Sequence, residues 1–173
     1  MHPCKDPLTL VKAISEVIEK NASLRLVMIG DGELYGEVKN EICKRNLSNN
    51  TKLLSYVGRE DINMWYATAD VFTLPSGGEA FGMTLLEAMA SGVPVIASNS
   101  GACPEVVGNA GILFSRGNHI ELAKKILRLS HEKELLRKLS ETGLKRVKET
   151  FSWEDKIDQY LRLYKIIYHS KFK

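Results

Sequence analysis

Apolar and polar positions follow two regimes along the chain. Up to about residue 115, apolar runs of strand length alternate with stretches of helical periodicity; beyond that point the pattern is helical throughout. Leu24-Arg25-Leu26-Val27-Met28-Ile29 is a short apolar run that stops at Gly30-Asp31-Gly32, a turn signal. Residues 52–57, 71–74, 94–97 and 111–114 read as further strands. Between them lie helices. Asp6 caps the first, with Pro7 in its first turn and Leu10, Ile14, Val17 and Ile18 on one face. Leu34, Val38 and Ile42 mark the second, residues 62–69 a short third and residues 84–90 a fourth. Strands separated by helices predict an α/β fold: a doubly wound, mostly parallel, Rossmann-like sheet with helices on both faces.

The helical tail, about residues 118–173, divides into helices near 118–129, 131–148 and 152–168. In the last, Trp153, Ile157, Tyr160, Leu161, Tyr164, Ile167 and Tyr168 form one broad apolar stripe. Such a stripe is expected to fold back on its own domain; the alternative is a docking face for another domain. No repeat or linker interrupts the pattern, so residues 1–173 are expected to form a single domain.

Composition adds exclusions. With 44% apolar and 26% charged residues, the chain belongs with globular proteins, not with disordered, collagenous or fibrous ones. The net charge of +3 hides an asymmetry: residues 1–115 carry 9 basic and 13 acidic side chains (−4), residues 116–173 carry 15 and 8 (+7). A basic tail can mark a surface for phosphates, nucleic acid or an acidic membrane leaflet; solvated helix faces are the simpler reading and the preferred one. Cys4, Cys43 and Cys103 are odd in number, widely spaced and without a CxxC, which suggests neither a disulfide framework nor a zinc site. Without an apolar leader core or a membrane-length apolar run, the chain is expected to be soluble and cytoplasmic, with no nucleic-acid partner. Peripheral contact with the cytoplasmic membrane face stays open.

In an open parallel sheet, ligands bind beyond the carboxyl ends of the strands. Four loops there are rich in glycine and small polar residues: Gly30-Asp31-Gly32-Glu33, Val57-Gly58-Arg59-Glu60, the stretch from Pro75 to Gly82, and Ser98-Asn99-Ser100-Gly101-Ala102. Glycine lets backbone N–H groups approach a ligand, and a following helix adds the positive end of its dipole, so the edge reads as a phosphate-type site. Tight turns alone would also call for these glycines. No GxxxxGK[ST] occurs, which excludes a P-loop. Gly30-x-Gly32-x-x-x-Gly36 misses the dinucleotide spacing by one residue, and no acid follows the next strand, so a dehydrogenase is not expected. Asp31-Gly32-Glu33 sits in a tight turn without a third ligand, and no metal site is expected. His2, His119, His131 and His169 lie outside these loops and none reads as a general base.

The most informative stretch is Glu79-Ala-Phe-Gly-Met-Thr-Leu-Leu-Glu87-Ala-Met-Ala. Gly82, Met83 and Thr84 are expected to form the first turn of a helix whose free N–H groups could hold a diphosphate. Glu87 follows one turn later. Two carboxylates repel an anion, but they make sense as acceptors for hydroxyl groups, one on a sugar and one on a ribose diol. On spacing alone the plainer reading is stronger: Glu79 as a helix-N-terminal acid and Glu87 as a solvated helix residue.

Glu79-x7-Glu87 within Pro75-Ser76-x-x-Glu-x-Phe-Gly-x-x-x-Leu-Glu-Ala-Met-Ala, followed by Gly92-Val93-Pro94-Val95-Ile96-Ala97, closely resembles the donor-binding half of family 4 glycosyltransferases. Those are retaining, metal-independent enzymes of two-domain GT-B fold. The likeness runs from Lys5 through the Gly30 and Gly58 turns to Phe151-Ser152-Trp153-Glu154. It implies that Glu79 contacts the transferred sugar, that Glu87 binds the ribose, and that backbone around Phe81, Gly82, Met83 and Thr84 holds sugar and diphosphate. By the same resemblance the Gly30 and Gly58 loops approach the nucleotide, and Lys5 binds the diphosphate. The donor would be a nucleoside-diphosphate sugar used as a substrate without any cofactor, and the acceptor a glycan or lipid-linked sugar, as in polysaccharide biosynthesis. Ala80 replaces the glycine usual after the first motif glutamate. The arginine that partners Lys5, the first strand of the donor domain and the N-terminal acceptor domain are all absent from the sequence. The expectation is therefore a hexosyltransferase-type enzyme by descent that requires a missing domain or a partner chain; the alternative is a non-catalytic nucleotide-sugar-binding module or truncated fragment.

Overall fold

The computed structural model describes residues 1–171, without the side chains of Glu154, Asp155 and Lys171. Glu154, the last residue of the motif stretch, thus lies outside the described side chains. A single 3₁₀ turn, Pro3–Lys5, opens the chain. Asp6 follows at φ 45°, and its carboxylate accepts hydrogen bonds from the Thr9 N–H (3.3 Å) and the Thr9 hydroxyl (2.7 Å). This cap starts α1 (Pro7–Lys20), which buries Leu10, Val11, Ile14 and Val17. Asp6→Ala removes the cap and strains a left-handed backbone, so it should cost about 1–2 kcal/mol. Asp6→Gly should cost less, because glycine keeps the backbone angle; urea midpoints of the two variants check this.

The remaining elements are β1 (Leu26–Ile29), α2 (Tyr35–Lys44), β2 (Thr51–Leu54), α3 (Ile62–Ala67), β3 (Phe72–Leu74), α4 (Met83–Ala90), β4 (Val95–Ser98), α5 (Cys103–Val107), β5 (Gly111–Phe114), α6 (His119–His131), α7 (Lys133–Thr150) and α8 (Trp153–Lys171). Every strand pair is parallel. β2 stops at Leu54 and not at residue 57, because its register pairs Leu54 with Ile29, where β1 ends and no further partner exists. α5 escaped the periodicity reading: five residues are too few to show a 3.6-residue pattern, although Pro104 in its first turn is a start signal.

Strand order gives the site its frame. β1 pairs with β2, and β3-β4-β5 form a second group; among the described residues no ladder joins β1 to β3. Both groups nevertheless share one core. Leu26 and Met28 of β1, Ile96 of β4 and Phe114 of β5 pack together with α1 and with Leu122, Ile126 and Leu129 of α6. On the opposite face, Val95 and Ala97 of β4 meet Tyr66, Leu85, Met89, Val106 and Val107 from α3, α4 and α5. Alternate residues of β4 thus enter opposite layers, as the two-residue period of a doubly covered strand requires. This is the doubly wound α/β arrangement that the alternation of elements predicts.

The tail behaves differently from expectation at its end. Arg128–Glu132, Arg137–Glu141 and Lys145–Glu149 pair one turn apart along α6 and α7, which are the solvated faces the charge asymmetry suggests. The stripe on α8 does not fold back. Trp153 is 75% exposed and Tyr164 64%, and no residue of the stripe joins either core. Among the described residues, no helix is long and apolar enough to cross a membrane.

Candidate functional site

Strands run parallel within each group, and the loops that leave their carboxyl ends are tied to one another. Gly30 N–H donates to the Leu54 carbonyl at 2.9 Å, which brings the Gly30 loop beside the chain that leads to Gly58. Gly58 lines an open, largely apolar cleft with Tyr56, Met64 and Trp65, and the Lys52 ammonium sits 5.0 Å from the Trp65 ring centre.

The opening turn ties the two strand groups together at this edge. The Met1 carbonyl accepts from Leu34 N–H at 3.0 Å, in the loop after β1. The Cys4 carbonyl accepts from Gly77 N–H at 2.6 Å and from the Ser76 hydroxyl at 2.8 Å, in the loop after β3. Lys5 is thereby held over the glycine-rich loop, and its ammonium lies 2.5 Å from Oε2 of Glu79. The Glu79 side chain is only 12% exposed and that of Lys5 45%. Two residues that the family resemblance singled out, 74 positions apart, therefore form an ion pair.

Further contacts place Glu79 from below. The Ser98 hydroxyl donates to the Ser76 carbonyl, the Ser100 hydroxyl to the Gly77 carbonyl (2.9 Å) and Ala102 N–H to the Glu79 carbonyl (2.9 Å). Gly101, at φ 56°, lies so close that a Cβ there would come within 2.7 Å of Glu79 N. Burial pushes the Cys103 thiol beneath this loop above its ordinary pKa. Arg116 packs its guanidinium across Gly77, where a Cβ would meet Nε at 2.6 Å.

α4 begins at Gly82, whose φ of 89° turns the loop into the helix, and no side chain caps it. The N–H groups of Met83 and Thr84 thus belong to an uncapped first turn. Phe81 and Met83 are exposed, and Phe81 rests edge-on against Phe151 at 6.2 Å. Glu87, one turn into α4, accepts a hydrogen bond from the Tyr66 hydroxyl at 3.1 Å. Burial, with the Glu87 charge, raises the Tyr66 pKa above its ordinary value. Neither Tyr66 nor Arg116 was singled out from the sequence. Tyr66 arrives from a separate helix with no spacing that links it to Glu87, and Arg116 reads only as one of the tail's many cations.

The glycosyl transferases group 1 family matches residues 1–146. The chain belongs to that family. An uncharacterised glycosyltransferase of Methanocaldococcus jannaschii is 36% identical over 137 residues, which are 78% of this chain and 38% of that protein. The MMP alpha-(1->4)-mannosyltransferase of Mycolicibacterium hassiacum is 32% identical over 166 residues, 94% of this chain and 40% of the relative. A crystal structure of a glycosyltransferase from Rickettsia africae superposes with a TM-score of 0.87 at 28% identity, covering 100% of this chain and 46% of that one. The chain therefore spans less than half the length of each of these glycosyltransferases, and its α/β fold is that of one domain of the GT-B type.

Proposed function

We propose that the chain is the donor-binding domain of a retaining glycosyltransferase, which transfers a sugar from a nucleoside-diphosphate sugar to a glycan or lipid-linked acceptor. One observation carries this reading: the Lys5–Glu79 pair stands on the loop that feeds the uncapped first turn of α4. A cation and backbone N–H groups suit a diphosphate, and a carboxylate beside them suits a sugar hydroxyl. In this reading the diphosphate takes the N–H groups of Met83 and Thr84 and draws the Lys5 ammonium from Glu79. Backbone at Phe81 and Gly82 flanks the sugar, which Glu79 orients, while Glu87 accepts the ribose hydroxyls and the Gly30 and Gly58 loops border the nucleotide. Negative charge grows on the diphosphate as the glycosidic bond breaks, so an oriented helix end and a cation stabilise the transition state more than the ground state. The retaining course rests on the motif likeness.

In the same reading, the unjoined edges of β1 and β3 are where the family's first donor-domain strand would pair, and the exposed stripe of α8 is where the acceptor-binding part of the transferase would meet this domain, whether in one polypeptide or as a partner chain. Calorimetric titration with UDP, GDP and ADP and their sugar conjugates tests the donor site. Saturable binding of one nucleotide series is expected, without sugar transfer by the chain alone. Efficient transfer by the purified monomeric chain would overturn the need for a second part, and failure to bind any series would overturn the donor assignment. Donor binding should also survive EDTA, since Lys5 and the α4 N-terminus supply the positive potential; an absolute requirement for magnesium or manganese contradicts the proposed site.

A further inference from the structure

We infer that Tyr66 is a positioning residue for Glu87: its hydroxyl holds one carboxylate oxygen and so presents the other to the nucleotide ribose. The inference rests on the donor-site reading above, in which Glu87 is the ribose acceptor. Tyr66 lies on α3 and Glu87 on α4, so the bond of 3.1 Å joins two elements that leave different strands. The phenol is fixed before it reaches Glu87. Tyr66 is 7% exposed within the core shared by α3, α4 and β4, and its ring stands edge-on to Phe72 at 5.5 Å. Glu87, by contrast, is exposed on the helix surface, where a glutamate side chain ordinarily samples several rotamers. A rigid donor aimed at Oε2 removes much of that freedom. A vicinal diol is recognised by an oriented carboxylate, so fixing the carboxylate in advance lowers the ordering cost of binding.

The geometry also says why a tyrosine serves here. The donor must be neutral, because a cation at this position would compete with the ribose hydroxyls for the whole carboxylate. It must also stay protonated, as a phenol does at neutral pH, and burial beside the Glu87 charge moves its pKa further up. Among the described residues, the Glu87 carboxylate accepts no other hydrogen bond. Tyr66 thus acts through Glu87 and needs no ligand contact of its own.

The test uses Tyr66→Phe, which keeps the buried ring and its contact with Phe72 and removes only the hydroxyl. Affinities for UDP, GDP and ADP and for their 2′,3′-dideoxy counterparts are measured in the parent chain, Tyr66→Phe, Glu87→Ala and the double variant. Positioning predicts that Tyr66→Phe weakens binding of the preferred ribonucleotide roughly threefold to tenfold. It predicts no change for the dideoxy form, and no further loss when Glu87 is already alanine. Equal loss for both forms, or the same loss in the Glu87→Ala background, means that Tyr66 only supports the fold and overturns the inference. If Glu87→Ala abolishes discrimination while Tyr66→Phe retains it, the ribose reading stands and the positioning role fails. If Glu87→Ala leaves discrimination intact, or the parent chain binds no ribonucleotide, the ribose reading itself fails and takes the inference with it.

Discussion

Replacing Glu79 with alanine should separate sugar nucleotides from bare nucleotides more sharply than any other single change at this edge. Two effects follow from one side chain. The carboxylate no longer accepts from a sugar hydroxyl, which removes a charge-assisted hydrogen bond of about 1.5–3 kcal/mol, roughly tenfold to a hundredfold in affinity. At the same time the Lys5 ammonium, 2.5 Å from Oε2 of Glu79, loses its partner and is freed for the diphosphate. The bare nucleoside diphosphate should therefore bind as tightly as before or more tightly, while the sugar nucleotide weakens. Glu87→Ala is expected to act differently, weakening both ligands by a similar factor, because both carry the ribose. Calorimetry with each ligand on each variant reads these patterns directly. Parallel losses for the two ligands in Glu79→Ala would remove Glu79 from the sugar.

The scaffold was more legible than the site. Among the described residues, alternation between apolar runs and helical periodicity identifies the five strands and seven of the eight α-helices, because each shows a local period, reinforced at α1 by the Asp6 cap. The lapses have physical causes. β2 stops at Leu54 because its partner β1 stops at Ile29, a fact about pairing that no single strand records. The α8 stripe is amphipathic in sequence yet stays exposed, since periodicity tells which face is apolar but not what covers it. At the candidate site, Glu79 and Glu87 stand out through the motif likeness, since their spacing alone favours the plainer reading. Their pairings were not legible: Lys5, itself named by the resemblance, reaches Glu79 across the sheet edge, and Tyr66 reaches Glu87 from a neighbouring helix. Nothing in local sequence couples such pairs; the topology does.

Gly101 provides the strongest test of how that topology places Glu79. The residue sits at φ 56°, where an L side chain costs roughly 1–2 kcal/mol, and its missing Cβ is the space into which the Glu79 backbone fits. A methyl group there would stand 2.7 Å from Glu79 N and closer still to the Glu79 carbonyl, contacts that only a backbone shift can relieve. Overpacking of this kind adds about 1–3 kcal/mol, so Gly101→Ala should lower stability by roughly 2–5 kcal/mol in all. The functional loss should be larger than the stability loss suggests. Any shift of Glu79 breaks its carbonyl's bond from Ala102 N–H and moves the carboxylate from Lys5, so the folded fraction should bind sugar nucleotide at least about tenfold more weakly. Gly36 is the matching control. It lies in α2, where an added methyl group would find nothing within 4 Å, and alanine there should be neutral or gain about 0.5–1 kcal/mol of helix stability. Urea denaturation and calorimetry on the two variants decide the matter: if Gly101→Ala binds sugar nucleotide as the parent chain does, the close packing of this turn is not what holds Glu79 in place.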